Sequence, residues 1–232
     1  KKKIILLKKI EKNLIKNSTK KIFFSKNYNY KKNEQGFKYY DKFGTINLPP
    51  PNLQGDFQIN NISSAIATVR NLNKFKVTKF HIIKAIKKIR SEGRLQNITQ
   101  GKLRKYVSKK NKILVDGAHN VLAANAVRKY LASLQSKKEV FMVLGMMDNK
   151  EHKQFVKIFK NKVKLKITLN IPNQKNFIEK EKLSRIVRSC GIPSKTEKSI
   201  KSALKYIAKK NSNATIFCTG SLYLAGEILN LN

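Results

Sequence analysis

The sequence predicts an α/β protein built on a mostly parallel sheet with flanking helices. Three observations lead there. From about Ser91 onward, short β-branched apolar runs alternate with stretches of helical periodicity, the pattern of parallel strands joined by helical crossovers. The apolar fraction is 41% over 232 residues, enough to build one large domain or two smaller ones. No internal repeat and no long low-complexity linker interrupts the alternation.

Taken in order, Lys1–Asn17 carries Ile4, Ile5, Leu7, Ile10, Leu14 and Ile15 at helical spacing. Lys21–Ser25 and Gly36–Tyr40 have strand character, and FKYYDKFG places a turn at Asp41–Gly44. Leu48 and the three prolines after it form a stiff extended loop. Asn60–Leu72 is expected to be a helix whose small residues Ser63, Ser64, Ala65 and Ala67 allow close packing. Thr78–Arg90 is a second helix, with Thr78 as N-cap and an apolar face of Phe80, Ile83, Ile86 and Ile89. His81, among lysines on that helix, suits solvation or packing better than ligation.

Beyond the boundary expected near Glu92-Gly93-Arg94, strands are predicted at Ile113–Asp116, Val140–Gly145, Val163–Leu169 and Thr215–Thr219. Helices are predicted at Val121–Leu134, His152–Phe159, Lys180–Cys190, Ile200–Lys209 and Leu222–Leu231.

The formal net charge of +38 suggests a polyanion partner at first sight. Lysine, however, supplies 44 of the 51 basic residues and is spread over the whole length, alongside abundant Asn and Ile. That is the signature of an AT-rich coding sequence, whereas a nucleic-acid site favours clustered Arg with interleaved aromatics. No nucleic-acid partner is expected, although the charge favours anionic substrates. No run of about 18 apolar residues exists, and no signal peptide is recognisable. A cytoplasmic protein without a membrane partner is therefore expected. Cys190 and Cys218 match no metal-ligand spacing and read as reduced thiols. The chain begins at Lys1 rather than Met, and a fragment or processed product is expected.

Ligands of open α/β sheets bind beyond the carboxyl ends of the strands. Three strand ends here carry polar residues: Asp116-Gly117-Ala118-His119-Asn120, Gly145-Met146-Met147-Asp148 and Thr219-Gly220-Ser221. Helix N-termini follow each, and their free N–H groups favour anions. The same Asp116, Asn120, Asp148 and Ser221 would equally serve as plain helix caps, and pattern alone leaves both readings open. No Ser-His-Asp trio is suggested, and the three histidines are too few for a histidine-rich metal site. No GxxxxGK[ST] phosphate loop occurs, so this chain would not hold ATP phosphates alone.

Four stretches together resemble the folylpolyglutamate synthase/dihydrofolate synthase family, related to the Mur ligases. GDFQINNISSA (Gly55–Ala65) is similar to the family's G-x-H-Q-x-x-N-A-x-x-A, and EGRLQ (Glu92–Gln96) to its G-R-[FLM] turn. ILVDGAHN (Ile113–Asn120) is similar to [IL]-x-D-G-A-H-N, and TGSLYLAGEIL (Thr219–Leu229) to [TS]-G-S-L-Y-L-x-G-E. MMDNKE (Met146–Glu151) is a looser match to a D-K-D loop. The chain departs from the family at Phe57, where His is common, at Ile62, where Ala is common, and at Val121, where Pro is common.

The resemblance implies a Rossmann-like C-terminal (glutamate ligase) domain over 92–232, preceded over 1–91 by the tail of a Mur-type ATPase domain. It implies an ATP-dependent ligase about twice this length. Such an enzyme activates a pterin or folate carboxylate as an acyl phosphate and adds L-glutamate to dihydropteroate or to (poly)glutamylated tetrahydrofolate. ATP and Mg²⁺ are the implied cofactors, with the metal ligands mainly in the other half and none assigned here. Monomeric behaviour is expected, and the isolated chain is expected to be inactive. Asn61 matches a residue that reads adenine, Arg94 one that reaches the phosphates, and Asp116 one that accepts from the ribose. His119 and Ser221 match residues near the γ-phosphate and the incoming glutamate. Two alternatives remain: a Mur-type ligase of cell-wall precursors, and a non-catalytic Rossmann-like binding module.

Overall fold

The computed structural model describes residues 12–13, 21–72, 74–134 and 138–232. The helix expected over Lys1–Asn17 lies almost entirely outside the described residues. The chain divides into two compact units, one of residues 1–52 and 57–89, the other of residues 53–56 and 90–232.

In the smaller unit, β1 (Tyr28–Asn33), β2 (Gly36–Asp41) and β3 (Gly44–Leu48) form an antiparallel meander. Lys42-Phe43 makes the two-residue turn between β2 and β3, closed by the Asp41–Gly44 pair. Lys42 and Phe43 keep negative φ, and the positive φ, of 100°, falls on Gly44 just after them. Helix α1 (Phe57–Arg70) packs on this sheet. Its Arg70 forks onto the buried carboxylate of Asp41 at 2.8 and 3.1 Å, and Tyr39 donates to the same group. Burial of Tyr39, followed by the charge of Asp41, raises the phenol above its ordinary pKa.

Helix α2 (Lys79–Lys88) starts from a capping box between Thr78 and His81. The expected apolar face is rotated. Ile82 and Ile86 are buried, while Phe80 is 68% exposed and is flanked by the Lys84 ammonium. Ile82 and Ile86 line an apolar cleft with Ile62, Ile66 and Val69 of α1, and Phe80 in the first turn is not among its lining residues.

The strand expected over Lys21–Ser25 is not formed. Phe24 makes a single bridge to Tyr28. The Asn27 side chain takes the Phe23 N–H, and Asn27 N donates back to Phe23 O. This local turn chemistry outcompetes the three-residue apolar run Ile22–Phe24.

The larger unit is a six-stranded sheet in the order β4-β5-β9-β6-β7-β8. Its strands are β4 (Gln96–Ile98), β5 (Lys112–Val115), β6 (Val140–Leu144), β7 (Leu165–Thr168), β8 (Ser194–Thr196) and β9 (Thr215–Thr219). All pairs are parallel except β4 with β5. The helices are α3 (Val121–Ser133), α4 (His152–Ile158), α5 (Lys180–Ser189), α6 (Ile200–Lys210) and α7 (Leu222–Asn230), with a short 3₁₀ turn at Lys102–Tyr106. The mostly parallel α/β sheet anticipated from the sequence is thus the one found.

Side chains alternate across the sheet. Ile113, Val115, Phe141, Val143, Ile167, Ile216 and Cys218 share one core with α6 and α7. On the opposite face the Phe159 ring, just past α4, meets Phe217, and α3, α4 and α5 pack in sequence. Both faces are covered, which is why the strands read as continuous apolar runs. Two edge strands were not visible in sequence, β4 and β8. Each has three residues, too few for a period of two to register.

Candidate functional site

The strands β5, β9 and β6 are neighbours, and their carboxyl ends lie side by side. The loops after β5 and β6 lead to α3 and α4 on one face, and the loop after β9 leads to α7 on the other. A crevice opens where successive connections leave to opposite faces. Three loops with polar residues therefore converge by topology, although about a hundred residues separate the first from the last.

Backbone hydrogen bonds stitch the loops together. Asp116 N donates to Cys218 O at 2.9 Å, Gly220 N to Ala118 O at 3.0 Å, and Gly145 N to Thr219 O at 3.3 Å. Gly220 has φ +111°, and a Cβ built on it would lie 2.5 Å from Gly145 O. Only glycine permits that backbone approach. The β6 loop is anchored on its far side, where Ile178 N donates to Met146 O and His152 Nε2 meets Met147 O at 2.9 Å.

Asp116 sits beneath this edge at 2% exposure. Its Oδ1 accepts from Ala118 N at 2.7 Å and its Oδ2 from Leu95 N at 2.9 Å. Burial raises its pKa; the two backbone donors and the charges of Arg94 and His119 pull the other way. Gly117 N donates to Gly93 O at 2.8 Å, and Gly93 N donates to Gln96 Oε1 at 2.9 Å. The Gly93-Arg94-Leu95 turn is thereby fastened to the loop after β5.

Arg94 and His119 are half-buried, and the Arg94 guanidinium has no hydrogen-bond partner among the described residues. His119 Nδ1 lies 2.9 Å from Gly117 O. A carbonyl can only accept, so Nδ1 carries the proton and Nε2 is left as an acceptor, or as a second donor when protonated. Ser221 is 2% exposed; its hydroxyl accepts from Tyr223 N at 3.1 Å as the N-cap of α7. Asn120 caps α3 through Ala123 N.

Of the four residues proposed as helix caps, Asn120 and Ser221 do cap. Asp148 does not. Its exposed carboxylate stands 4.0 Å from Lys182. Asp116 binds two loop amides instead. Arg94, Asp116, His119 and Ser221 thus gather at one edge of one sheet. Asn61 belongs to the other unit, where it is exposed on α1 and donates to Gln58 Oε1 at 3.1 Å.

Sequence reasoning missed Gln96 and His152 as anchors of these loops. Both stand within or beside quoted motifs, but nothing in the sequence says which backbone group each would meet. Among the described residues, no three His, Cys, Asp or Glu side chains converge in a way that could hold a metal ion. No described helix is long and apolar enough to cross a membrane.

Comparison with solved structures shows the same fold. E. coli FolC in complex with ADP matches with a TM-score of 0.78 at 20% identity, over 96% of this chain and 50% of that one. Folylpolyglutamate synthase from Thermotoga maritima matches with 0.71 at 19%, over 97% and 51%. The bifunctional folylpolyglutamate synthase/dihydrofolate synthase from Yersinia pestis, complexed with AMPPNP and Mn ion, matches with 0.76 at 14%, over 95% and 49%. The chain spans about half the length of the solved structures it matches. A search of curated proteins gave no match. The family model described as dihydrofolate synthetase, C-terminal domain, matches residues 96–231, more than half of the chain and nearly all of the six-stranded sheet with the three loops at its carboxyl edge. The chain belongs to the dihydrofolate synthetase family and carries its C-terminal domain.

Proposed function

We propose that this chain is the C-terminal part of an ATP-dependent ligase that forms an amide between L-glutamate and dihydropteroate or (poly)glutamylated tetrahydrofolate. One observation carries the reading: Arg94 is half-buried, has no hydrogen-bond partner among the described residues, and sits in a turn fastened to the loop that leads from β5 into α3. Helix N-termini and a free guanidinium are what a polyphosphate needs. The solved relatives support the ligand set, since E. coli FolC has been obtained with DHPP and ADP and a bifunctional synthase with Mn, AMPPNP and L-glutamate bound.

In this reading residues 92–232 form the glutamate ligase domain and residues 1–91 the tail of the ATPase domain. Arg94 holds the phosphates and offsets charge that develops as the γ-phosphoryl group moves to the acceptor carboxylate. Asn61 reads the adenine edge with one donor and one acceptor. The resemblance assigns Asp116 to the ribose, where its carboxylate could accept only through the lone pairs that Leu95 and Ala118 leave. His119 Nε2 and the Ser221 hydroxyl serve the γ-phosphate and the incoming amine. Mg²⁺ would neutralise the phosphates. Among the described residues no three His, Cys, Asp or Glu side chains converge to hold it.

The test uses the complete enzyme that contains this chain, with ATP, Mg²⁺, labelled glutamate and either acceptor. Release of ADP matched by amide formation supports the reading. ADP release with neither acceptor, or with a cell-wall precursor instead, overturns it.

A further inference from the structure

We propose that Asp116 is a positioning residue whose buried carboxylate locks the Gly93-Arg94-Leu95 turn and so aims Arg94 at the carboxyl edge of the sheet. The inference rests on the ATP-site reading for Arg94 but assigns Asp116 a task other than the ribose contact.

The turn takes left-handed backbone on both sides of Arg94, which glycine adopts freely and leucine does not. Gly93 has φ +62° and Leu95 φ +49°. A leucine in the left-handed region is an outlier for an L-residue, and it persists only where its surroundings over-determine it. Here they do. The Leu95 side chain is fully buried, and its N–H, 2.9 Å from Asp116 Oδ2, is held by a charged acceptor. The other oxygen takes Ala118 N, which fixes the carboxylate relative to β5. Gly117 N on Gly93 O and Gly93 N on Gln96 Oε1 fasten the entry to the turn. A Cβ on Gly93 would come within 3.2 Å of Ala225 Cβ on α7, so the turn has little room to relax.

Every donor within reach of Asp116 is thus a backbone amide that shapes the loop, and the residue is almost closed to solvent. Arg94, in contrast, is tethered only through its backbone. Its side chain carries no bond that would orient it, so the turn sets where the guanidinium starts. Two backbone amides hold the Asp116 oxygens, whereas the Arg94 guanidinium has no hydrogen-bond partner among the described residues.

Two measurements test this. On the 232-residue chain, amide hydrogen exchange at Leu95 should be slow in the parent protein and in Arg94→Ala. It should speed up about tenfold or more in Asp116→Ala, in keeping with the loss of a charge-assisted hydrogen bond. Asp116→Asn, which keeps one acceptor oxygen, should fall between. Amides of β9 should stay protected in all variants, which separates local opening from unfolding; if Asp116→Ala fails to fold, Asp116→Asn carries the test.

On the complete enzyme, Asp116→Ala should lower kcat by a factor close to that of Arg94→Ala, with a smaller change in KM for ATP. The double variant should be no worse than Arg94→Ala, because both remove the same contribution. Replacing ATP by 2′,3′-dideoxy-ATP should leave the Asp116→Ala defect intact. Unchanged Leu95 exchange in both Asp116 variants, multiplicative kcat losses, or a defect that disappears with dideoxy-ATP would each overturn the proposal. An Arg94→Ala enzyme with normal ATP kinetics would sink the ATP-site reading instead, while the exchange result would still decide the clamp.

Discussion

Replacing Lys166 by methionine removes an ammonium group from the middle of β7, where the side chain is fully buried. Its Nζ donates to Val156 O at 2.8 Å and stands 5.4 Å from the Phe159 ring centre. No carboxylate faces it among the described residues, and burial lowers its pKa to about 7. An unfolded lysine titrates near 10.4, and each unit of difference is worth ~1.4 kcal/mol, so the shift amounts to ~4–5 kcal/mol. Between those pKa values the unfolded chain holds the proton and the folded chain does not. Stability from this group therefore climbs as pH rises from about 7 to about 10.4, and the full penalty is in force below about 7.

Methionine has nearly the same length and no charge. The lost hydrogen bond costs roughly 1 kcal/mol, softened because Val156 O also accepts from Phe159 N. Lys166→Met should therefore gain about 3 kcal/mol at pH 6, and the gain should fade towards pH 10. The chain has no tryptophan, so urea unfolding followed by circular dichroism at pH 6, 8 and 10 is the suitable assay. A variant weaker than its parent at pH 6, or a difference that stays constant across the range, would refute the reasoning.

Two further outcomes follow from the described contacts. Gly220→Ala forces a Cβ to 2.5 Å from Gly145 O at a positive φ; a loss of at least ~2 kcal/mol is expected from strain and overpacking, read as a lower urea midpoint. Arg70→Ala leaves the Asp41 carboxylate, 3% exposed in its side chain, without its cation; ~3 kcal/mol should be lost, and Arg70→Lys should recover only part, since an ammonium cannot reproduce the two-pronged contact.

Much of this architecture could be read locally. The core strands β5, β6, β7 and β9 and all five helices of the larger unit announce themselves, because buried runs and helical periods are properties of neighbouring residues. The motif loops were legible for the same reason. What escaped depends on distant partners. DGAHN marks Asp116 as a polar residue at a strand end, yet its inward rotation depends on Leu95 N, 21 residues upstream. Lys166 is one of 44 lysines, and nothing beside it in the sequence marks it as the one beneath a sheet. At Lys21–Ser25 the period pointed to a strand, and an Asn side chain four residues from Phe23 decided otherwise.

The position of β9 has a bearing on how the molecule comes into being. Of the described strands it is the last in the chain, yet it lies between β5 and β6. Until Thr215–Thr219 leaves the ribosome, those two strands have no central partner, and the ladders they later share with β9 expose unsatisfied amides. About 100 residues separate the end of β5 from the start of β9, which at roughly 5–20 residues per second is ~5–20 s of synthesis. During that interval the nascent sheet holds two open edges of apolar strand, the kind of surface that seeks another chain. Its many lysines then acquire a use unrelated to any ligand, since like charge keeps neighbouring unfinished chains apart.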